Sequence, residues 1–287
     1  MMDAAKMLRT LLDRPGILVA PGCYDGITAK LVHRAGFEVA YMTGFGTAAS
    51  VLGMPDAGLI SFSEMATNAG NLAEAIPIPL IADGDNGYGN AVNVYRTVKA
   101  YARAGVAGLH LEDQLSPKKC GHVEGKLLIS REEMVGKIHA AADARAEKDI
   151  VIIARTDARA VSGLDDALGR AQAYHEAGAD MIFFEAPEGM EEIELVAKTV
   201  KAPQLINLAM TDKTPFVPIS QLEALGFKLV ILPVLLMAAA VAGATEALER
   251  LKNHPEHDPH GSGVTFEDIK NLVGFPEYFE MEEKYRA

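Results

Sequence analysis

Eight short apolar, β-branched runs alternate with stretches of helical periodicity, and this repeat limits the chain to few architectures. The runs cover residues 17–20, 38–42, 79–82, 108–111, 150–154, 181–184, 204–207 and 229–232. AKLVHRAG, NVYRTVKAYARAG and ALGRAQAYHEAG precede the second, fourth and sixth runs, and each closes on a Gly suited to a helix C-cap. Strands joined through helices pair in parallel, and eight such units close into an α/β fold, the (β/α)8 TIM-type barrel, of about 250 residues. A chain of 287 residues holds one such barrel, so a single domain over 1–287 is expected, with 250–287 as a C-terminal helical tail.

Composition removes several classes of function. With 49% apolar and 23% charged residues the chain can bury a large core, which excludes intrinsic disorder. Twenty-seven Lys and Arg against 39 Asp and Glu leave a net charge of −12, so no nucleic acid partner and no anionic membrane surface is expected. A local cationic site for an anionic metabolite is compatible with that balance. The longest apolar stretch, 229–244, is broken by Pro233 and Gly243 and is shorter than the roughly 18 to 20 residues of a membrane span. It reads as a strand running into a buried helix. The N-terminal MMDAAKMLRTLLD lacks the features of a secretory signal, and two Cys are too few for a disulfide framework. A reducing, cytoplasmic setting is the expectation.

The strand ends carry the chemistry. After the runs come Asp25, Thr43, Asp83 with Asp85, Glu112, Arg155 with Asp157, Glu185, Asn207 and Pro233. In a barrel of this kind the C-terminal strand ends meet at one face, where active sites are built, so residues spread from 43 to 233 converge. Any single polar strand end needs no more explanation than the start of a loop. A whole set of acids with an Arg and an Asn points to a site.

Asp83 and Asp85, in IADGDNGYGN, sit two apart, so extended backbone aims both carboxylates at one face. Two adjacent carboxylates call for a cation between them. A hard ion such as Mg2+ prefers oxygen ligands and keeps open positions for an anionic substrate; an Asx-rich turn is the competing explanation. Asp56 and Glu112 add acids to the same end. In GLHLEDQLSPKKCGHVEGK, Cys120 follows two lysines and precedes Gly121 and His122, a polar setting that favours a catalytic thiol over a packing residue. Pro117, Gly121 and Gly125 bracket this segment as a lid. Cys23 has no such company and reads as packing. Arg155 suits bidentate carboxylate recognition, with a structural salt bridge to Glu185 as the alternative. The segment 254–263, with His254, His257 and His260, reads as an exposed loop without ligand spacing, ahead of a short helix over 265–273.

YMTGFGTAASVLGMPDAG, ADGDNGYGN, LEDQ, KKCGH, ARTDA and FFEAP, in that order, resemble the isocitrate lyase / phosphoenolpyruvate mutase superfamily, over roughly residues 15–235. Within it the chain is most similar to the 2-methylisocitrate lyase and 2,3-dimethylmalate lyase branch, whose K-[KR]-C-G-H loop carries a catalytic Cys. That resemblance implies Asp85 as the direct Mg2+ ligand (Mn2+ as a substitute), with Asp56, Asp83 and Glu112 holding the ion through water. It implies that Tyr41, Thr43, Gly44 and Phe45 cradle the 2-oxo acid carboxylate and that Arg155 binds a substrate carboxylate. Cys120, Gly121 and His122 fall on the gating loop, and Glu185, Asn207 and Pro233 line the pocket. Cys120 is then the general acid of a Mg2+-dependent cleavage of a 2-hydroxy di- or tricarboxylate, giving pyruvate or glyoxylate and a carboxylate such as propionate or succinate. Tyr41, Glu112 and His122 complete the implied catalytic set, with Tyr41 as candidate base. Two elements depart from the methylisocitrate pattern: Thr43-Gly44-Phe45-Gly46 replaces a Ser-Gly-Gly-Gly turn, and Asn207-Leu208-Ala209 replaces Asn-x-Thr. The lost hydroxyl at 209 weakens the hold on a second carboxylate, and Phe45 makes the pocket smaller or more apolar. An oxaloacetate hydrolase or decarboxylase is the alternative, although the hydrolases resemble one another in a Ser near Pro233. The resemblance also implies a homotetramer of helix-swapped dimers.

Overall fold

The computed structural model describes residues 3–145, 148–209, 213–256, 258 and 263–286. His257 and His260, and most of the loop expected around them, lie outside the described residues. Eight parallel strands close into a barrel in sequence order, with the last returning to pair with the first. They are β1 Leu18–Cys23, β2 Ala40–Met42, β3 Leu80–Asp83, β4 Gly108–Glu112, β5 Val151–Thr156, β6 Met181–Phe184, β7 Gln204–Asn207 and β8 Leu229–Leu232. The helices are α1 Ala4–Asp13, α2 Gly26–Arg34, α3 Gly44–Leu52, α4 Phe62–Ala75, α5 Ala91–Arg103, α6 Arg131–Ala144, α7 Leu164–Glu176, α8 Gly189–Thr199, α9 Ile219–Leu225, α10 Leu235–Asn253, α11 Phe266–Val273 and α12 Phe275–Lys284. β1 runs beyond its expected end through Pro21 and Gly22, which pair with Leu232 and Tyr41.

The core divides by strand parity. Leu18, Ala20, Tyr41, Ile81, Val151, Ile153, Met181, Phe183, Leu205, Leu229 and Ile231 pack together with Leu8 of α1, filling the barrel interior. The alternate positions, among them Met42, Leu80, Ala82, Leu109, Leu111, Ile152, Ala154, Ile182 and Phe184, pack outward under the helices. A period of two is what a pleated strand imposes, so each chain leaving the top of the barrel keeps its inward parity for a residue or two more.

Asp25 does not join the other strand-end residues. Its carboxylate accepts the Thr28 amide and forms a capping box that starts α2. For this position the start of a helix is the whole explanation. The expected tail boundary at residue 250 falls inside α10, which continues to Asn253. α10, α11 and α12 contain no buried residue, and Phe266, Phe275, Tyr278 and Phe279 are exposed on them, with Tyr285 exposed just after α12. Among the described residues no helix is long and apolar enough to cross a membrane.

Candidate active site

Inward parity extended past the strands selects Thr43, Asp83, Asp85, Glu112, Arg155, Asp157, Glu185, Asn207 and Pro233, two or four residues beyond buried interior positions. Most of them line one cavity of about 240 Å³ at the mouth of the barrel, a size suited to a small acid. Tyr41, Phe45, Asp56, Lys118, Lys119, Cys120, Gly121, His122, Phe183, Ala209 and Val234 complete the wall. Asp85 is set off the wall, paired with Lys118.

Acidity is concentrated on one side. Asp56, Asp83, Asp85 and Glu112 are all buried. Lys118 Nζ lies 2.5 Å from Asp56 Oδ1 and 2.7 Å from Asp85 Oδ1. Burial, with Asp83 and Asp56 nearby, pushes Asp85 up to about 6 against the pull of Lys118. Burial likewise holds Glu112 well above the usual carboxylate range, although Arg155 and Lys118 oppose it. For Asp83 burial is outweighed by His110, Lys118 and Arg155, and its carboxyl is lowered. Glu112 Oε1, Glu185 Oε2 and Asn207 Oδ1 are buried acceptors without a hydrogen-bond partner among the described residues. Hard oxygen donors, excess buried negative charge and orphaned acceptors together fit a hard divalent ion. Among the described residues no group of three or more His, Cys, Asp or Glu side chains is placed to hold an ion by itself.

Arg155 forms the opposite wall. Its Nε and Nη2 donate to Asp157 at 2.9 and 3.0 Å, while Glu112 lies 3.4 Å and Glu185 4.0 Å away. Its tightest partner is therefore Asp157, not the Glu185 considered from sequence. Asp113 fixes Asp157 in turn, accepting the Asp157 amide and the Thr156 hydroxyl. Glu185 pairs with His122 Nε2 at 2.9 Å. Burial opposes its ionisation, but Arg155 and His122 hold its carboxyl down at about 2.

The loop after β4 folds over this mouth. The Gln114 side chain clasps Lys119 through both its amide and its carbonyl, at 2.9 and 2.8 Å. The Cys120 amide donates to the Asp56 carbonyl, and Lys126 Nζ donates to the Gly121 carbonyl. Cys120 is partly buried, and burial raises its thiol pKa, with Asp56 and Glu185 adding to the effect and Arg155 opposing it. The two lysines beside it do not make a thiolate, because Lys118 is spent on carboxylates. Alkylation of Cys120 by iodoacetamide is expected to be slower at neutral pH than that of an ordinary free thiol and to accelerate only at higher pH. Fast alkylation at pH 7 would contradict a protonated thiol. Cys23 is buried, its thiol donates to the Tyr41 carbonyl, and burial pushes it up to about 12.

Gly121 leaves no room for a side chain. A Cβ there would sit 2.6 Å from Glu185 Oε1 and closer still to Arg155 Nη2. Gly121→Ala should therefore hold the lid off the mouth and lower turnover by about tenfold or more, with little change in melting temperature. Stopped-flow turnover beside a thermal melt checks this, and full activity would mean that the lid does not dock here during catalysis.

Residues 8–252 match the phosphoenolpyruvate phosphomutase family. The chain is 46% identical to 2,3-dimethylmalate lyase of Eubacterium barkeri over 99% of both chains, and 44% identical to 2-methylisocitrate lyase of Aeropyrum pernix over 95% of this chain and 88% of that one. It belongs to the phosphoenolpyruvate mutase/isocitrate lyase superfamily. Among solved structures, a 2,3-dimethylmalate lyase of that superfamily superposes with a TM-score of 0.95 at 36% identity, covering 100% of this chain and 97% of that one. An oxaloacetate acetylhydrolase bound to 3,3-difluorooxalacetate gives 0.94 at 36%, covering 98% and 97%. A phosphonopyruvate hydrolase in complex with oxalate and Mg2+ gives 0.90 at 32%, covering 100% of both.

The Gly44 amide donates to Asp83 Oδ2 at 3.2 Å, and a Cβ would lie 2.8 Å from Asp83 Cγ, so Gly44 positions an acid and is absent from the cavity wall. Thr43 lines the cavity while its side chain caps α3. Tyr41 is 3% exposed and its hydroxyl sits 2.8 Å from His110 Nε2. Burial and then Asp83 raise its phenol well above the usual range. Lys118, Gln114, Asp113 and His110 join the site without a sequence-based expectation, although LEDQ and KKCGH contain three of them. His110 was legible as an inward position of β4, two before Glu112.

Proposed function

We propose that this chain is a Mg2+-dependent carbon–carbon lyase that cleaves a 2-hydroxy dicarboxylate of the 2,3-dimethylmalate type into pyruvate and propionate. The observation that carries this is the Cys120 thiol, pinned by a lid over one cavity that also holds an acid cluster and the tethered Arg155. Phe45, Ala209, Pro233 and Val234 form an apolar stretch of wall, which suits a methyl-substituted acid better than a third carboxylate such as 2-methylisocitrate carries.

Asp85 would hold the metal directly, with Asp56, Asp83 and Glu112 reaching it through water; Mn2+ would serve in place of Mg2+. When bound, the ion supplies Lewis-acid polarisation of the 2-hydroxyl and its neighbouring carboxylate. Arg155, rigid on Asp157, orients a carboxylate, with His122 beside it. Glu112 Oε1, an unpartnered acceptor on the wall that a neighbouring divalent ion would hold ionised, takes the hydroxyl proton, with Tyr41 as the other candidate. The bond between the hydroxyl carbon and its neighbour breaks, its electron pair remaining on the carbon next to the departing carboxylate. Cys120 Sγ–H protonates that carbon, and the lid excludes water until it has done so. Opening of the lid returns the Glu112 proton to solvent and a proton to the thiolate.

The experiment is a lactate-dehydrogenase-coupled assay for pyruvate over 2,3-dimethylmalate, 2-methylisocitrate and oxaloacetate, with and without chelator. 2,3-Dimethylmalate should give the highest kcat/KM. The likeness to oxaloacetate acetylhydrolase supports a second reading, hydrolysis of oxaloacetate to oxalate and acetate, with decarboxylation as its variant. Pro233 on the wall, without a hydroxyl, weighs against it.

The apolar residues exposed on α10 to α12 need a partner surface, and a second copy of the chain supplies it if these helices exchange between subunits. Two such dimers would give a homotetramer, each subunit a single domain over 1–287 working in the cytoplasm. Light scattering should show four chains, and a stable monomer at micromolar concentration would contradict the exchange.

A further inference from the structure

Two buried carboxylates stand back to back where β4 and β5 end. Asp157 faces the mouth and holds Arg155, whereas Asp113, of opposite parity to Glu112, points out of the barrel toward α7. Neither oxygen of Asp113 is idle. Oδ1 accepts the Asp157 amide at 2.9 Å; Oδ2 accepts the hydroxyls of Thr156 and Tyr174, each at 2.8 Å, and Arg170 Nη1 at 3.3 Å. A carboxylate has about four acceptor sites, so this one is full. Arg170 Nη1 also reaches the Tyr174 hydroxyl at 3.1 Å and the Ile129 carbonyl at 3.0 Å. What the cluster grips is a turn. Asp157 has φ −97° and ψ 8°, in the sparsely allowed bridge region, where β5 gives way to the 3-10 turn Ala158–Ala160. The Thr156 hydroxyl that donates to Asp113 also accepts the Ala158 amide, at 3.2 Å.

We propose that Arg170 and Tyr174, in the helical layer outside the barrel, are positioning residues that act through Asp113 and Asp157 to aim the Arg155 guanidinium at a substrate carboxylate. The inference rests on the placement of that carboxylate on Arg155 proposed above. Neither α7 residue lines the cavity, so neither touches the acid itself. Arg155 commits Nε and Nη2 to Asp157, and Nη1 takes no part in that pair. Its guanidinium carbon lies 5.0 Å from the centre of the Phe183 ring, on the cavity wall. Two other acids compete for it, Glu112 at 3.4 Å and Glu185 at 4.0 Å. A guanidinium that slipped from Asp157 would turn to them and be lost to the substrate, because two-point recognition of a carboxylate depends on a fixed fork. The anchor that prevents this slip is the Asp157 backbone, and α7 holds it through Asp113.

The test is steady-state kinetics of the full-length enzyme with Mg2+ and whichever of the three acids it cleaves best, beside thermal melts. Tyr174→Phe should raise KM about fivefold and leave kcat within about twofold, because poorer aim weakens binding of the acid as a whole. Arg170→Met should raise KM further. Arg170→Lys should stay within about threefold of the wild type, since one ammonium offers three N–H groups to the same three acceptors. A double-mutant cycle separates positioning from packing. In an Arg155→Lys background, which has no fork for Asp157 to hold, Tyr174→Phe should change kcat/KM by less than about twofold. Tyr174→Phe keeps the buried ring, so this cycle decides the matter even if Arg170→Met fails to fold. An equal loss in both backgrounds, or a lower melting temperature with KM unmoved, overturns the positioning role while leaving the proposed function standing. Failure of the wild type to cleave any of the acids overturns the proposed function and the positioning role together.

Discussion

Asp85→Asn is expected to lose more than about a thousandfold in turnover, because Lewis-acid stabilisation by a bound metal contributes several kcal/mol to such a step. Chelation of the wild type should reproduce the loss, and Mg2+ or Mn2+ should reverse it. The variant should nevertheless fold well. Asp85 is held near 6 in the folded chain against an ordinary value of 3.8, so the folded state binds its proton more tightly than the unfolded state does. Ionised Asp85 therefore costs stability, a cost absent below about pH 4 that grows as the pH rises to about 6 and then levels off. In the absence of metal, Asp85→Asn should equal the wild type in acid and match or exceed its stability at pH 7, with Lys118 still held by Asp56. Thermal melts at pH 4 and pH 7 check this. Full turnover of the variant in chelator would remove the metal from the mechanism.

The second large effect falls on the thiol. Cys120→Ser should lose at least about a hundredfold in turnover, since a general acid contributes about 10²- to 10⁴-fold and a hydroxyl is a far weaker acid than a thiol. Metal affinity should hold, because the Cys120 contact to the acid side runs through its backbone amide to Asp56. Cys23→Ser is the control. That buried thiol packs beside Tyr41, and its replacement should lower the melting temperature more than the rate. Near-normal turnover in Cys120→Ser would shift weight to a decarboxylase that needs the metal alone.

Strand periodicity made most of the barrel legible, because parallel strands covered by helices must be apolar in short runs whatever their neighbours are. The last three runs coincide with β6, β7 and β8 to the residue. Their place at the strand ends put Asp83, Glu112, Arg155, Glu185 and Asn207 around one mouth. It failed at Asp25 because a capping carboxylate and a catalytic one look alike in sequence, and only the Thr28 partner tells them apart. The lid was harder. Lys118 and Lys119 are neighbours in sequence, yet one is buried among carboxylates and the other is held through its backbone by Gln114, a division set by loop shape and not by residue type. For Cys120, the flanking lysines do not set the thiol's pKa, because burial outweighs them and raises it. α12 escaped notice because its apolar residues, Phe275, Tyr278, Phe279 and Met281, bury nothing within one chain.

Cleavage of 2,3-dimethylmalate in D2O with Mg2+, followed by NMR, tests the central claim most directly. Pyruvate and propionate should appear in equal amounts, with one deuterium on the carbon next to the propionate carboxylate, where the Cys120 proton is delivered. Release of oxalate and acetate from oxaloacetate, with 2,3-dimethylmalate and 2-methylisocitrate left intact, would contradict it.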